Sequence, residues 1–454
     1  MGESTTVSES VDSLSTGPFH RRLLALTGGV LSFAAVEILV ISFVLPQLVS
    51  NWSLSGFEAG LLGSASLIGI MLGNWVGGWY GDRAGRVVAL QWSVLGYSLC
   101  AALTALSVGF YSAFVFRLLT GVFVGGTIAV DVSYLTEHLP TDRRGRYLVY
   151  LEAFWPSGTL LSVLVAWLVL SAFSTGGTTF GIDSWRVLFL FAALPALATP
   201  ILRRTLAETP YYLAGDGRLD AANDRIREMS RANGDEFHPV TEPGDDEGES
   251  ASFRRLFAPG LRGRTALVCV LWFGLNFGFY GVFIWLPSTF EAVPLGGSTY
   301  EQLFVVGAVQ LPGVVSAALL VDRLGRRPTI GGYLFLSGIF MVLFADGLGS
   351  GSTLAAVVPL PPLASLFLSS FFLIGAWGPM FAYTVEVFPT SVRGTGFGFA
   401  SGVGKIAAIL GPVMAGALVP MGYRIALLPF GFGVALAGAV VLAVGPETRD
   451  EALS

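Results

Sequence analysis

The chain has 454 residues, of which 53% are hydrophobic and 13% charged, with a mean hydropathy of +0.69 and a net charge of −5. A soluble domain carries about twice that share of charge, so a soluble enzyme is excluded, and the acidic balance excludes a nucleic-acid partner. An integral, multi-pass membrane protein is indicated.

Residues 1–20 are polar and form an N-terminal tail. The segment "HRRLLALTGG" that follows looks like a twin-arginine export signal, but its apolar run is long enough to span and no small-residue cleavage site closes it. Apolar runs able to cross ~30 Å of hydrocarbon with about 20 residues each fall at 23–48, 58–80, 87–109, 111–135, 147–171, 185–202, 265–287, 301–320, 329–349, 355–384, 395–419 and 423–445. The prediction is an all-α membrane protein of twelve transmembrane helices in two six-helix bundles, at 21–202 and 265–446. A connection at 203–264 separates them and a short tail, 447–454, closes the chain. Within the connection, "ETPYYLAGDGRLDAANDRIREMSRANG" reads as helical and "DEFHPVTEPGDDEGES" as a flexible linker. Cys100 and Cys269 lie inside predicted spans, so no disulfide framework is expected.

Charge sets the orientation. With both termini cytoplasmic, 22 of the 26 Lys and Arg fall in tails and inner loops. The remaining four, Arg117, Arg186, Lys405 and Arg424, lie in spans or at their ends, and outer loops carry none, as the positive-inside rule requires.

The chain says one phrase twice: "EHLPTDRRG" at 137–145 and "EVFPTSVRG" at 386–394. A second repeat, "GDRAGR" at 81–86 and "VDRLGRRP" at 321–328, follows spans 2 and 8. Two parallel copies of one bundle explain both. In each copy Glu137 or Glu386 ends a span, and Arg144 or Arg393 begins the next. Asp82 can cap a helix N-terminus, and Arg83 and Arg86, like Arg323 and Arg326 beside Asp322, can reach carboxylates on neighbouring helices. These charges are expected to form a cytoplasmic gate that closes in one state and breaks in the other. The alternative is that they only anchor the topology.

These loops, with "RLLTGVFVGG" in span 4, "AETPYYL" after span 6 and "GPETRDEAL" after span 12, resemble the major facilitator superfamily over residues 20–450. The last two motifs look like its sugar-porter and metabolite:proton symporter branches. Sugar porters carry a Gln pair in span 7 and a Gln in span 5; here Val270 and Leu271 replace the pair and Glu152 replaces the single Gln, while Asn276 is kept. "LEAFWPSG", "WFGLNFGFYGVFIWLP" and "GAWGPMFAYTVEVFPT" resemble the niacin-transporter-like symporters. That resemblance implies proton-coupled uptake of a small aromatic or heterocyclic acid across the cytoplasmic (inner) membrane. Where that group has two acidic residues in span 1, this chain has Ala34 and Glu37.

Ionisable groups inside a bilayer are rare and mostly functional. Glu37, about 16 Å from the outer end of span 1, and Arg117, about 9 Å inside that of span 4, are placed to meet; the pair is similar to the proton-coupling pair of related symporters. Asp131 is a further candidate for coupling; for it and for Glu152 a structural place in the cytoplasmic charge network is the alternative. Lys405, the protein's one lysine, lies about 15 Å into span 11 and needs an anion, either a protein carboxylate or the substrate. Glu152, Trp155, Tyr280 and Trp377 are candidates to surround a flat ligand, and Asn276 and Gln310 to orient it; packing is the other role open to the aromatics and amides. Trp285, near an outer end, reads as an interface anchor.

No cofactor or metal is expected: His20, His138 and His238 lie in tails and loops without ligand spacing. The expected partners are the lipid bilayer, a small-molecule substrate and protons, with sodium the alternative ion, acting on a monomer. Other readings are a sugar or other metabolite:proton symporter, a drug efflux antiporter, or a nutrient sensor on the transporter fold.

Overall fold

The computed structural model describes residues 5–172, 178–179, 182–242, 253–293, 295–349, 354, 357–389 and 392–449. Among them are twelve helices long and apolar enough to cross a membrane: α1 Pro18–Trp52, α2 Gly56–Ala84, α3 Arg86–Ala105, α4 Phe110–Thr136, α5 Thr141–Leu170, α6 Ser184–Thr205, α7 Arg262–Phe283, α8 Thr299–Leu324, α9 Arg326–Gly347, α10 Pro362–Val387, α11 Arg393–Met421 and α12 Tyr423–Val444. Each corresponds to one predicted span. The only β structure among the described residues is a two-residue antiparallel ladder, Thr178–Thr179 with Ile182–Asp183, between α5 and α6.

Three helices expected to be continuous are broken in mid-span near a proline, besides α6, which passes through a 3-10 turn at Leu194–Ala198. The first half of α5 ends at Glu152, that of α8 at Ala308 and that of α10 at Gly375. A fourth break follows α7, which ends at Phe283 before a short helix Leu286–Ala292. Prolines 156, 312, 379 and 287 stand four residues beyond those ends. The cause is steric: a proline lacks the N–H that would bond to the carbonyl four residues back, and its ring collides with that carbonyl. Each helix therefore ends where its proline dictates.

Within the first bundle α2 and α4 cross at backbone contact, because small residues line the seam. A Cβ on Gly73 would strike the backbone of Val122, and one on Gly77 that of Gly126. The turn from α2 to α3 and its repeat from α8 to α9 both need a left-handed residue, which Gly85 (φ +96°) and Gly325 (φ +99°) supply.

Beside the cavity Val149 of α5 lies close to Gly378 of α10, and the bundles meet most tightly at the end away from the arginines. There Gly56 and Gly60 of α2 lie against the backbone of Gly416 and Pro412 in α11, and Ser64 Oγ donates to Ile409 O at 2.8 Å. Trp285 is buried at this end and donates to Pro412 O at 3.0 Å, so it pins α11 and is not the expected interface anchor.

A second, smaller core lies beyond the arginine-rich end. A tail helix, Val7–Asp12, packs Val7 and Val11 against Leu213, Ile226, Met229 and Val240 of the central connection. The stretch 235–242, expected to be flexible, is instead fastened: Ser15 N donates to Asp235 (2.9 Å), Ser10 Oγ to His238 O (2.6 Å) and Val240 N to Asn223 Oδ1 (2.7 Å). The acidic tract at 243–250 lies outside the described residues. This unit is tied to the first bundle through Asp12, which accepts from Thr141 N at 2.7 Å, and through Asn233 Oδ1, which accepts from Phe19 N at 3.3 Å.

His138, in the turn after α4, is buried, and its Nδ1–H donates to Tyr134 O at 2.8 Å. Burial, with the nearby Arg225 charge, pushes its imidazole down to about 3. The unfolded chain, with an ordinary value of about 6.5, therefore binds more protons between those limits, and stability falls as pH drops through that window. Melting of the detergent-solubilised protein should decline more steeply from about pH 7.5 to about pH 5 than that of His138→Gln; parallel profiles would remove His138 as the sensitive group.

Candidate functional site

A cavity of about 680 Å³ lies between the bundles, within the range of small-molecule sites. It runs from the middle of the molecule, at Glu152, Trp155, Tyr280, Trp377 and Lys405, to Val385, Arg393 and Gly394 at the arginine-rich end. The helix breaks build its upper wall. Glu152 is the last residue before the break in α5 and Trp155 opens the second half, while Trp377 opens the second half of α10. Trp272 is held by its Nε1–H, which donates to Thr384 Oγ1 at 3.0 Å, and stands edge-on to Trp377 at 6.4 Å and to Phe397 at 5.5 Å. These rings make an apolar, aromatic box.

Two opposite charges face into it. Glu152 comes from α5 of the first bundle and Lys405 from α11 of the second. They are close enough to interact electrostatically, yet neither has an ion pair within 4.0 Å with any described residue. Five of the seven residues expected to bind substrate thus share the cavity: Glu152, Lys405, Trp155, Tyr280 and Trp377. Two do not line it. Asn276 donates to Trp272 O of its own helix at 2.9 Å and packs under Gly404, and Gln310 donates to Ser370 Oγ at 3.3 Å between α8 and α10. Gln310 thus bridges two helices, a role small polar groups take in hydrocarbon, while Asn276 bonds within its own. Asn74 of α2, Phe381, Phe397 and Ser401 line the cavity and were not anticipated; Asn74 Oδ1 is buried and has no hydrogen-bond partner among the described residues. Periodicity alone cannot say which face of an all-apolar helix is wet.

Glu37 and Arg117 do meet. Arg117 Nη1 lies 2.5 Å from Glu37 Oε1, and Nη2 donates to Glu37 O at 2.7 Å. The pair is 1% and 0% exposed and stands within the first bundle, outside the cavity lining. Glu37 Oε2 and Arg117 Nε are without hydrogen-bond partners among the described residues, as are both carboxylate oxygens of Asp131, which is buried in α4.

At the arginine-rich end the two repeats form two copies of one network. Arg86 Nη2 lies 2.8 Å from Glu137, whose other oxygen accepts from Thr209 Oγ1 at 2.6 Å. Arg326 Nε lies 3.0 Å from Glu386, which accepts from Thr448 Oγ1 at 2.5 Å. Glu208 accepts from Arg86 N at 2.9 Å, and Glu447 from Arg326 N at 2.8 Å. Those two carboxylates cap α3 and α9, where anions are favoured. Burial raises the Glu208 carboxyl against the pull of the backbone N–H groups it accepts from.

Several expectations are corrected here. Asp82 does not cap a helix; it lies inside α2 and pairs with Arg86 at 2.5 Å, while Asp322 stands 4.0 Å from Arg326. Arg83 reaches no carboxylate among the described residues and lies over the Trp79 ring at 4.3 Å. Arg323 likewise forms no ion pair with a described residue, and its carbonyl accepts from Arg449. Arg144 donates to Leu139 O (3.2 Å) and Tyr211 OH (3.1 Å), and Arg393 to Val385 O (3.0 Å). Every ion pair named in these networks is internal to one bundle. The capping residues Glu208, Thr209, Glu447 and Thr448 were missed, although the "ETP" and "ETR" phrases after spans 6 and 12 repeat the signal.

Two sequence-related bundles of six helices around a central cavity define a membrane transporter of the major facilitator fold. Residues 24–454 match the family described as "Sugar (and other) transporter", and the chain belongs to that family. It is 31% identical to the niacin transporter NiaP of Acinetobacter baylyi over 98% of both chains, and 28% identical to the putative niacin/nicotinamide transporter NiaP of Bacillus subtilis over 96% of this chain and 98% of the other. In fold it is similar to the xylose transporter XylE from E. coli in a partially occluded inward open conformation, with a TM-score of 0.75, 21% identity and coverage of 96% and 99%.

Because Arg86 and Arg326 each join three elements of their bundle and Arg83 and Arg323 do not, the repeats should be separable by mutation. Arg86→Ala or Arg326→Ala should lose about 1.5–3 kcal/mol of stability, seen as a lower melting temperature in detergent. Arg83→Ala and Arg323→Ala should melt close to wild type, and equal losses in all four would contradict the geometry.

Proposed function

We propose that the protein is a proton-coupled importer of a small aromatic or heterocyclic carboxylic acid of the niacin type, working by alternating access in the cytoplasmic membrane with both termini inside. Lys405 carries the reading: it is the one lysine of the chain, and it faces an aromatic cavity without an ion-pair partner among the described residues. An ammonium in that position favours an anionic ligand, and flat walls favour a planar one. The niacin transporters among the relatives support the same class.

A sugar is less well served. Hydroxyls left without amide partners are rejected strongly, and the cavity offers one amide, Asn74, with Asn276 and Gln310 turned to helix contacts. With the arginine-rich end cytoplasmic, the cavity is that of an inward-open carrier. The coupling proton is assigned to Glu37, whose protonation releases Arg117, with Asp131 as a second buried carboxylate in the same bundle.

Lys405→Met keeps the stem and deletes the charge. It should weaken nicotinate by roughly 2 to 4 kcal/mol if the pair is desolvated, and nicotinamide much less; equal losses for acid and amide would overturn the anionic reading. Glu37→Gln should abolish accumulation against a gradient while counterflow exchange persists. Normal pH-dependent accumulation by that variant would move coupling to another carboxylate.

A further inference from the structure

Lys405 has a use in the loaded carrier, but Glu152 has none, and the empty carrier leaves both charges to be accounted for. The two stand on α5 and α11, the helices that follow the two copies of the Glu-Pro-Arg-Gly phrase and so correspond in the two halves. They line one cavity from opposite bundles, sense each other's charge, and have no ion pair with any described residue. A rocking motion that closes this cavity removes its water, and a lone ammonium or carboxylate is then strongly disfavoured.

We propose that Glu152 is the stand-in for the substrate: in the empty carrier it closes onto Lys405, and in the loaded carrier the substrate's carboxylate displaces it from that ammonium. Two carboxylates thus alternate on one cation. Only a neutralised site lets the bundles close, so the empty carrier returns through the Glu152–Lys405 pair and the loaded one crosses with the substrate's carboxylate on Lys405 and its protonated ring nitrogen on Glu152. Once displaced, Glu152 accepts a hydrogen bond from a donor on the far edge of the ligand, as a protonated ring nitrogen provides. The site thereby favours acids bearing such a donor over plain aromatic acids. This rests on the anionic-substrate reading above.

The test uses nicotinate as the probe in proteoliposomes holding the full chain. Glu152→Gln keeps the shape and deletes the competitor, so nicotinate should bind several-fold more tightly. Net uptake should fall at least about tenfold, because the empty site keeps an unpaired ammonium, while nicotinate–nicotinate exchange continues. Glu152→Asp should recover part of the net uptake. The double variant Glu152→Gln/Lys405→Met, with neither charge, should interconvert again when empty, read as two populations of spin-label distances across the arginine-rich rim. Uptake and exchange falling together in Glu152→Gln, unchanged or weaker nicotinate binding, or a double variant as stalled as the single one would each overturn the proposal. Its failure is distinguishable from that of the anionic reading, which fails when Lys405→Met weakens nicotinate and nicotinamide alike.

Discussion

A backbone in hydrocarbon has to satisfy its own hydrogen bonds, and departures are tolerated only against protein or a cavity. Among this chain's departures are four that precede a proline by four residues, and the site depends on two of them. The proline at 156 ends the first half of α5 at Glu152 and the one at 379 ends that of α10 at Gly375, so Glu152, Trp155 and Trp377 are carried at breaks beside the cavity. Without those breaks the same residues would lie on straight helices, and the cavity would lose its upper wall.

The bundles themselves are held by contacts of other kinds. Small residues bring α2 and α4 to backbone contact, which is how helices associate when lipid is as apolar as their side chains. At the arginine-rich end, carboxylates after the sixth and twelfth helices cap α3 and α9 and share their arginines with Glu137 and Glu386. The seal between bundles at the other end uses Gly60, Ser64 and Pro412 and no ion pair among the contacts described. Charge therefore organises each bundle internally, and packing decides how the bundles meet.

Much of this was legible in the residues. Twelve apolar runs, a charge bias and two repeats gave the helix count and the division into halves, because those signals are additive along the chain. Glu37 and Arg117 could be matched by depth, since helical rise is fixed. The lining could not be read in the same way: Asn74 and Gln310 are both mid-span amides, and only packing turns one into the cavity and the other into a helix contact. The breaks were visible as prolines, yet Pro46 and Pro412 sit inside unbroken helices, so proline alone does not announce a break. The capping role of the two glutamates is not legible in their phrases, since a cap formed with a residue 122 positions away leaves no local trace.

Those caps also set an order of events during synthesis. Glu208 locks a helix that begins at Arg86, and Glu447 one that begins at Arg326. The first bundle can be completed as soon as the residues just after its sixth helix leave the ribosome, before any of the second exists. The second half then folds onto a finished neighbour, and its own lock comes only after its last helix has been made.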